Sequence, residues 1–218
     1  MAKVFHVRPI YKDFIWGGSK LIEKYKLNTT LPNVGTIYMV IALPGHFDNI
    51  VEEVGEPLSE FYRINPEYFC IEEPTLPIRM TITCNEGLQS YQVHPSDSYA
   101  LVHEKTKGKI SGNIIIEETG TVRKKLFGHK ATSLEEFKAL IQAEDWDHFF
   151  NLLDVTDGSF LNTPAGVVHG GKGDGEIVVT FSTNSDITYR FYDFGRNDPK
   201  RPLHLQQVFD CANIPEVQ

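Results

Sequence analysis

The sequence predicts a mainly β fold, an antiparallel barrel or jelly roll with helices on one side. Short apolar segments recur along the chain, each bounded by Gly, Pro, Asn or Asp, which is typical of antiparallel strands joined by turns. Helix signals are concentrated in few places, and this pattern favours a barrel or jelly roll over a parallel sheet. Because 218 residues is the length of about one domain, we expect residues 1–218 to form a single β domain.

The first predicted elements combine weak helices with strands. Residues 13–26 are weakly helical, and because Gly17 and Gly18 interrupt them, only their second half is expected to form a helix. A further helix is predicted to start within residues 57–61. The predicted strands, taken in order, are residues 35–42, 77–84, 89–93, 112–116, 159–161, 177–182 and 188–192.

Residues 131–153 are predicted to be an inserted helical pair between two β-rich regions. Ser133 and Glu136 have the spacing of a capping box, which satisfies the first free amides of a helix. Asp145 can cap a second short helix. The apolar residues expected to pack on the core from this pair are Phe137, Leu140, Ile141, Phe149, Phe150, Leu152 and Leu153.

Composition and charge exclude several classes of protein. The net charge of −8 and the absence of a Lys/Arg block argue against binding to nucleic acid, which depends on neutralising phosphates. No apolar segment approaches the roughly 18–20 residues that span a bilayer, and the N-terminus lacks the pattern of a signal peptide. The three cysteines fit neither a CxxC motif nor an even disulfide framework. We therefore expect a cytoplasmic protein with reduced thiols and no membrane partner.

Two histidines and a glutamine are candidate metal ligands. Gln92 and His94 lie two residues apart on a predicted strand, so they share one face of it. A tight turn at residues 163–168 delivers His169 onto another strand. Two imidazoles and an oxygen are ordinary ligands for zinc, although the residues alone also fit a structural role for both histidines.

The order of short motifs identifies a family. The chain resembles class I mannose-6-phosphate isomerase of the bacterial type in residues 16–21 (WGGSKL), 92–97 (QVHPSD), 108–109 (GK), 164–169 (PAGVVH), 184–193 (NSDITYRFYD) and 203–205 (LHL). The resemblance implies a cupin fold, a cytosolic isomerase of mannose 6-phosphate and fructose 6-phosphate, and a zinc site. The zinc ligands that it implies are Gln92, His94, His169 and the Glu of a Gly-Lys-Thr-Glu motif. The chain resembles a divergent member that is shortened at its C-terminus.

Arg190 and Lys109 are the candidate contacts to the substrate and its phosphate. Isomerisation needs a base, an electrophile for the oxygens and cationic groups for the phosphate, and these two cations suit the last role. On the residues alone, Arg190 could equally be a structural ion-pair partner of Asp186 or Asp193.

The departures from the family pattern are similar in kind. Small hydroxylic residues stand where the resemblance implies ionisable groups in the pocket, and these positions are Thr36, Thr81, Ser111 and Thr180. Because Ser111 replaces the carboxylate ligand, zinc is expected to bind weakly or to be absent. Arg79 and Glu176 lie an even number of residues from Thr81 and Thr180, so on regular strands they share the same faces and could supply relocated groups.

These observations leave three functional hypotheses, and whether the chain is an enzyme stays open. The first is a catalytically impaired relative that binds a sugar phosphate. The second is an active isomerase whose catalytic groups have moved. The third is a structural partner of a catalytic relative. The sequence does not decide whether the chain forms a homo-oligomer.

Overall fold

The computed structural model describes residues 4–116 and 122–216, in which antiparallel strands predominate. In these two ranges no helix has both the length and the apolar character needed to cross a membrane. The strands described are β1 (Val7–Arg8), β2 (Ile10–Lys12), β3 (Thr36–Val40), β4 (Ile50–Val51), β5 (Glu56–Pro57), β6 (Ile78–Cys84), β7 (Leu88–Val93), β8 (Ser111–Ile115), β9 (Arg123–His129), β10 (Phe150–Val155), β11 (Phe160–Thr163), β12 (His169–Lys172), β13 (Ile177–Thr183) and β14 (Tyr189–Tyr192).

The helices are short and lie outside the sheets. Pro66–Tyr68 forms one 3-10 turn. The α-helices described are α1 (Lys20–Tyr25), α2 (Leu58–Ile64), α3 (Asp97–His103), α4 (Leu134–Gln142), α5 (Trp146–Phe149) and α6 (Leu205–Cys211).

Two larger sheets dominate the architecture. One has the strand order β11-β8-β13-β6-β3-β2 and the other has the order β10-β9-β12-β7-β14. A small sheet of order β1-β4-β5 stands beside them. Neighbouring strands in these three sheets pair antiparallel. The mainly β, antiparallel architecture predicted from the sequence is therefore confirmed.

Side chains along β7 and β14 alternate between the hydrophobic core and a polar cavity. Tyr91 and Val93 on β7, with Tyr189 and Phe191 on β14, are buried in a core that includes residues of α4, α5 and α6. Side chains alternate between the two faces of a strand, so the intervening Gln92 points the other way. The helices therefore cover one face of this sheet and leave the opposite face to line a cavity.

The inserted helical pair forms, but with a shorter second helix than predicted. Ser133 Oγ accepts a hydrogen bond from Glu136 N at 3.2 Å, as the capping box requires. The Glu136 carboxylate, however, accepts from N and Oγ1 of Thr132 instead of the Ser133 amide. The second helix ends at Phe149, and Phe150–Val155 is a strand paired with β9.

The extension of this second helix to residue 153 was wrong because pairing with β9 prevails over local helix preference. Phe149 and Phe150 are buried as expected, whereas Leu152 and Leu153 are 54% and 37% exposed. Strand β9 and helices α3 and α6 were not predicted, and β12 was predicted only as the strand that carries His169. The single-domain organisation stays a prediction.

Candidate functional site

A cavity of about 300 Å³ lies between the two larger sheets. The six-stranded sheet lines it mainly with hydroxyl and amide side chains, and the five-stranded sheet contributes histidine and cationic side chains. The cavity is lined by six lysine and arginine side chains and by two carboxylates, those of Glu176 and Asp186. The chain as a whole carries a net charge of −8, so the cavity has the opposite sign from the rest of the protein. This charge distribution favours an anionic ligand.

His94 and His169 meet in this cavity, with ring centroids 4.9 Å apart. The register explains the meeting, because His169 on β12 pairs with Gln92 on β7. His94 Nδ1 donates to the Ile187 carbonyl at 2.9 Å, and His169 Nδ1 donates to the Val167 carbonyl at 3.0 Å. Each neutral ring therefore keeps an unprotonated Nε2, the atom available to a metal ion or a hydrogen-bond donor.

Burial keeps both imidazoles neutral. It lowers the pKa of His169 to about 4, and the charge of Lys109 acts in the same direction. Burial and the charge of Lys109 also hold the pKa of His94 well below its ordinary value. At neutral pH both Nε2 atoms are consequently hydrogen-bond acceptors.

Gln92 faces the same cavity but presents the amide nitrogen to the histidines. Its Nε2 lies 3.3 Å from His169 Nε2, to which it donates. Its Oε1 accepts a hydrogen bond from Ser90 Oγ at 3.2 Å. An amide that coordinates a metal would have to exchange these two atoms by rotating its terminal group.

Lys109 and Arg190 lie in the cavity without a carboxylate partner among residues 4–116 and 122–216. The buried Arg190 Nε has no hydrogen-bond partner at all in those ranges. Burial and the charge of Arg201 lower the pKa of Arg190, but a guanidinium remains protonated in proteins. Burial and the charges of Arg79 and Arg190 hold the pKa of Lys109 well below its usual value, against the attraction of Asp186. A bound anion would favour the charged form of Lys109.

The acidic residues that could have paired with Arg190 have other partners. Asp186 lies 2.7 Å from Arg79 Nη1 and 3.0 Å from His46 Nε2. Asp193 pairs with two further arginines, Arg196 at 2.7 Å and Arg201 at 3.0 Å. The alternative role of Arg190 as a structural ion-pair partner of Asp186 or Asp193 therefore finds no contact in the structure.

The hydroxylic residues at the departures all line the cavity, and these are Thr36, Thr81, Ser111 and Thr180. Neighbouring polar groups satisfy three of them. Thr36 Oγ1 is 3.2 Å from Thr83 Oγ1, Thr180 Oγ1 donates to Asn113 Oδ1 at 2.8 Å, and Ser111 Oγ accepts from Asn113 Nδ2 at 3.3 Å. A neutral hydrogen-bonded wall thus stands where the resemblance implies ionisable groups.

Glu176 is a buried carboxyl group on the cavity wall, 3% exposed. One of its oxygens contacts Lys125 Nζ, and the other accepts from Asp174 N at 3.2 Å. Burial and a hydrogen bond with Asp174 raise the pKa of Glu176, against the opposing charge of Lys125. The sequence indicated Glu176 but not Lys125, because β9 was not predicted. Of the two relocation candidates, Arg79 is held by Asp186, whereas Glu176 faces the cavity beside a cation.

The donor set at the histidines fits the expected zinc site only in part. Among the described residues no group of three or more His, Cys, Asp and Glu side chains could hold a metal ion. Two imidazole nitrogens are available, but Gln92 presents its nitrogen and Ser111 supplies no charge. The residues therefore do not complete the four-ligand site that the resemblance implies.

Comparison with known proteins gives consistent relatives, although no protein-family model matches the chain. A mannose-6-phosphate isomerase from Streptococcus mutans is 33% identical over 222 residues, covering 98% of this chain and 69% of the relative. A probable mannose-6-phosphate isomerase from Bacillus subtilis is 30% identical over 225 residues, covering 100% of this chain and 70% of that protein.

Solved structures agree with these relatives. The mannose 6-phosphate isomerase from Bacillus subtilis matches with a TM-score of 0.90 at 27% identity, over 98% of this chain and 69% of that one. A mannose 6-phosphate isomerase bound with zinc and yttrium matches in fold, with a TM-score of 0.69 at 12% identity over 96% of this chain and 74% of the other. The predicted cupin-like fold is thereby confirmed.

Proposed function

This chain belongs to the mannose-6-phosphate isomerase family, and we propose that it binds a sugar phosphate of the mannose 6-phosphate and fructose 6-phosphate class while its isomerase activity is impaired. The observation that carries the proposal is the pair of cations, Lys109 and Arg190, that face the cavity without a carboxylate partner in the described residues. A phosphate group satisfies both cations, and the unpaired Arg190 Nε offers it a directed charge-assisted hydrogen bond.

The impairment follows from what isomerisation requires. Moving a proton between C1 and C2 of the sugar needs a base at the carbon and an electrophile at the oxygens. At the positions where the resemblance implies an acid or base, Thr180 and Thr81 offer only neutral hydroxyl groups. Asp186 is held by Arg79 and His46, so it is not a free base.

Zinc is proposed as a weakly held cofactor. His94, His169 and, after rotation of its amide, Gln92 would hold it, and it would supply an electrophile for the sugar oxygens. All three ligands are uncharged, and Lys109 adds a repulsive positive charge nearby. We therefore expect low occupancy in purified protein.

The test measures the shift in melting temperature with mannose 6-phosphate, because a ligand that binds only the native state stabilises it. We expect the wild type to be stabilised and Arg190→Ala to lose more than tenfold in affinity, since hydrogen bonds to charged groups contribute about 1.5–3 kcal/mol. The melting temperature of Arg190→Ala without ligand should change little. Arg63→Ala, which removes an exposed arginine outside the cavity, is the control.

Two results would contradict the proposal. No stabilisation of the wild type by mannose 6-phosphate would exclude sugar-phosphate binding and favour a structural role. A large loss of stability in Arg190→Ala without ligand would show that Arg190 serves the fold.

A second candidate function, an active isomerase with relocated groups, is favoured by Glu176. This carboxyl group lies on the cavity wall, and burial raises its pKa, as is typical of acid–base groups. A coupled isomerase assay on zinc-loaded protein decides between the candidates. Activity in the wild type that disappears in Glu176→Gln would establish the second one and refute the impairment.

A further inference from the structure

The cavity has a second polar end, at the start of β13 and the end of β6. Glu176 directly precedes β13 and lies four residues before Thr180, which is about 13 Å at the rise of a β-strand. Just beyond the last pair of β6 and β13, Ile177 with Cys84, Gly175 N donates to Asn85 O at 3.0 Å, so Glu176 lies beside Asn85. Both side chains lie on the cavity face, as does Thr83 two residues before Asn85.

Two buried polar atoms at this end have no partner. Asn85 is 9% exposed, and its Oδ1 accepts no hydrogen bond from the described residues. Trp16 Nε1 is likewise buried and donates to none of them. Both residues line the cavity, and they adjoin in the fold, since Glu86 N donates to Trp16 O at 2.9 Å. Buried polar atoms are almost always hydrogen-bonded, so two orphans on one cavity wall indicate a ligand.

The groups at this end alternate in hydrogen-bond character. Asn85 Oδ1 and the Glu176 carboxylate accept, whereas Trp16 Nε1 and Lys125 Nζ donate. A phosphate at neutral pH cannot satisfy the two acceptors. A sugar hydroxyl group both donates and accepts, so adjacent hydroxyl groups match this wall.

We infer that Asn85, Trp16 and the Glu176–Lys125 pair form a subsite that recognises the hydroxyl groups of the bound sugar. This inference rests on the proposed function, in which Lys109 and Arg190 hold the phosphate. Trp16 is well fixed for such a role, because its ring stacks on Phe14 at a centroid distance of 4.5 Å. The sugar then lies between its phosphate, held by Lys109 and Arg190, and the groups of this subsite.

Asn85→Ala tests the subsite with two probes, mannose 6-phosphate and inorganic phosphate, titrated into the full chain by calorimetry. Loss of one hydrogen bond should weaken mannose 6-phosphate about fivefold to tenfold and leave inorganic phosphate unchanged. The melting temperature without ligand should not fall, because the removed oxygen has no partner. The matched control is Asn33→Ala, which removes an equally orphaned amide oxygen outside the cavity.

The outcomes separate this inference from the proposed function. Wild-type protein that binds neither probe refutes the proposed function and the subsite with it. Wild-type protein that binds mannose 6-phosphate no more tightly than inorganic phosphate refutes the subsite alone, as does Asn85→Ala with wild-type affinity for both probes. If Asn85→Ala fails to fold, Trp16→Phe removes the other orphan while keeping an aromatic ring, and unchanged affinity there refutes the subsite equally.

Discussion

Introducing a carboxylate at position 111 should tighten zinc binding at the histidines. Ser111 lies on β8, faces the cavity and pairs with Thr163 and Ser182 on the flanking strands. Its hydroxyl group accepts a single weak hydrogen bond, from Asn113 at 3.3 Å, so a replacement breaks little. Ser111→Glu adds an anionic oxygen to a ligand set that is otherwise neutral.

The magnitude follows from two opposing contributions. Two unit charges 4 Å apart attract by about 4 kcal/mol at an effective dielectric constant of about 20. Desolvating the carboxylate costs several kcal/mol, and the positive charges of Lys109 and Arg190 offset part of this cost. We therefore expect a gain of at least tenfold in zinc affinity, equivalent to about 1.4 kcal/mol.

The assay is calorimetric titration of zinc into the wild type, Ser111→Glu and the uncharged control Ser111→Gln. His94→Ala should abolish binding in either background. Isomerase activity should not return in Ser111→Glu, because Thr180 and Thr81 still supply no base. Equal zinc affinity in the wild type and Ser111→Glu would mean that position 111 does not face the histidines and would refute the reasoning.

The fold allows two further predictions, which concern acid stability and the backbone beside His169. Burial opposes ionisation of Asp186, but the charge of Arg79 outweighs it and lowers the pKa of this carboxyl group. The stability that ionised Asp186 contributes is therefore present above a pH of about 4 and is lost as the pH falls through the lowered pKa. Asp186→Asn should lower the free energy of unfolding at pH 7 and make that free energy fall less steeply as the pH is lowered. If the free energies of the wild type and Asp186→Asn fall in parallel with pH, this prediction is wrong. Gly170 has a φ of 124°, and a Cβ atom there would lie 2.1 Å from Ser90 O. Gly170→Ala should therefore lower the free energy of unfolding, measured in urea, by about 1–3 kcal/mol or more. Gly158→Ala, at φ of 82° in open space, has the strain without the clash and should cost less.

The sequence could predict those parts of the site that depend on local patterns. Alternation along β7 placed Gln92 and His94 on one face, and the turn at Gly166, with φ of 85°, leads His169 onto β12. Strand β9 was missed because Arg123-Lys124-Lys125 resembles a solvated segment. It is a strand because its backbone pairs with β10 and β12. The ion pairs of Lys124 with Asp154 and of Lys125 with Glu176 join residues 30 and 51 positions apart.

Pairing between distant residues likewise decided which cations are free. From the sequence, Arg190 had two nearby acidic candidates, and only the fold assigns Asp186 to Arg79 and Asp193 to Arg196 and Arg201. A local rule cannot rank such partners, because sequence spacing says nothing about contacts across a sheet. The orphaned atoms of Asn85 and Trp16 were equally invisible, since burial without a partner is a property of packing.

Position 111 should affect both proposed ligands of the cavity, zinc and a sugar phosphate, and one variant measures both effects. A neutral Ser111 gives the proposed cation site no charged ligand, and it leaves Lys109 and Arg190, which have no carboxylate partner in the described residues, available to an anion. A carboxylate in Ser111→Glu should consequently act in opposite directions, tightening zinc and weakening mannose 6-phosphate in metal-free protein. Because the added carboxylate would lie a few ångströms from the cations that hold the phosphate, we expect a severalfold loss of affinity for mannose 6-phosphate. If metal-free Ser111→Glu binds mannose 6-phosphate as tightly as the wild type, the phosphate does not lie near position 111, and the two cations serve another purpose.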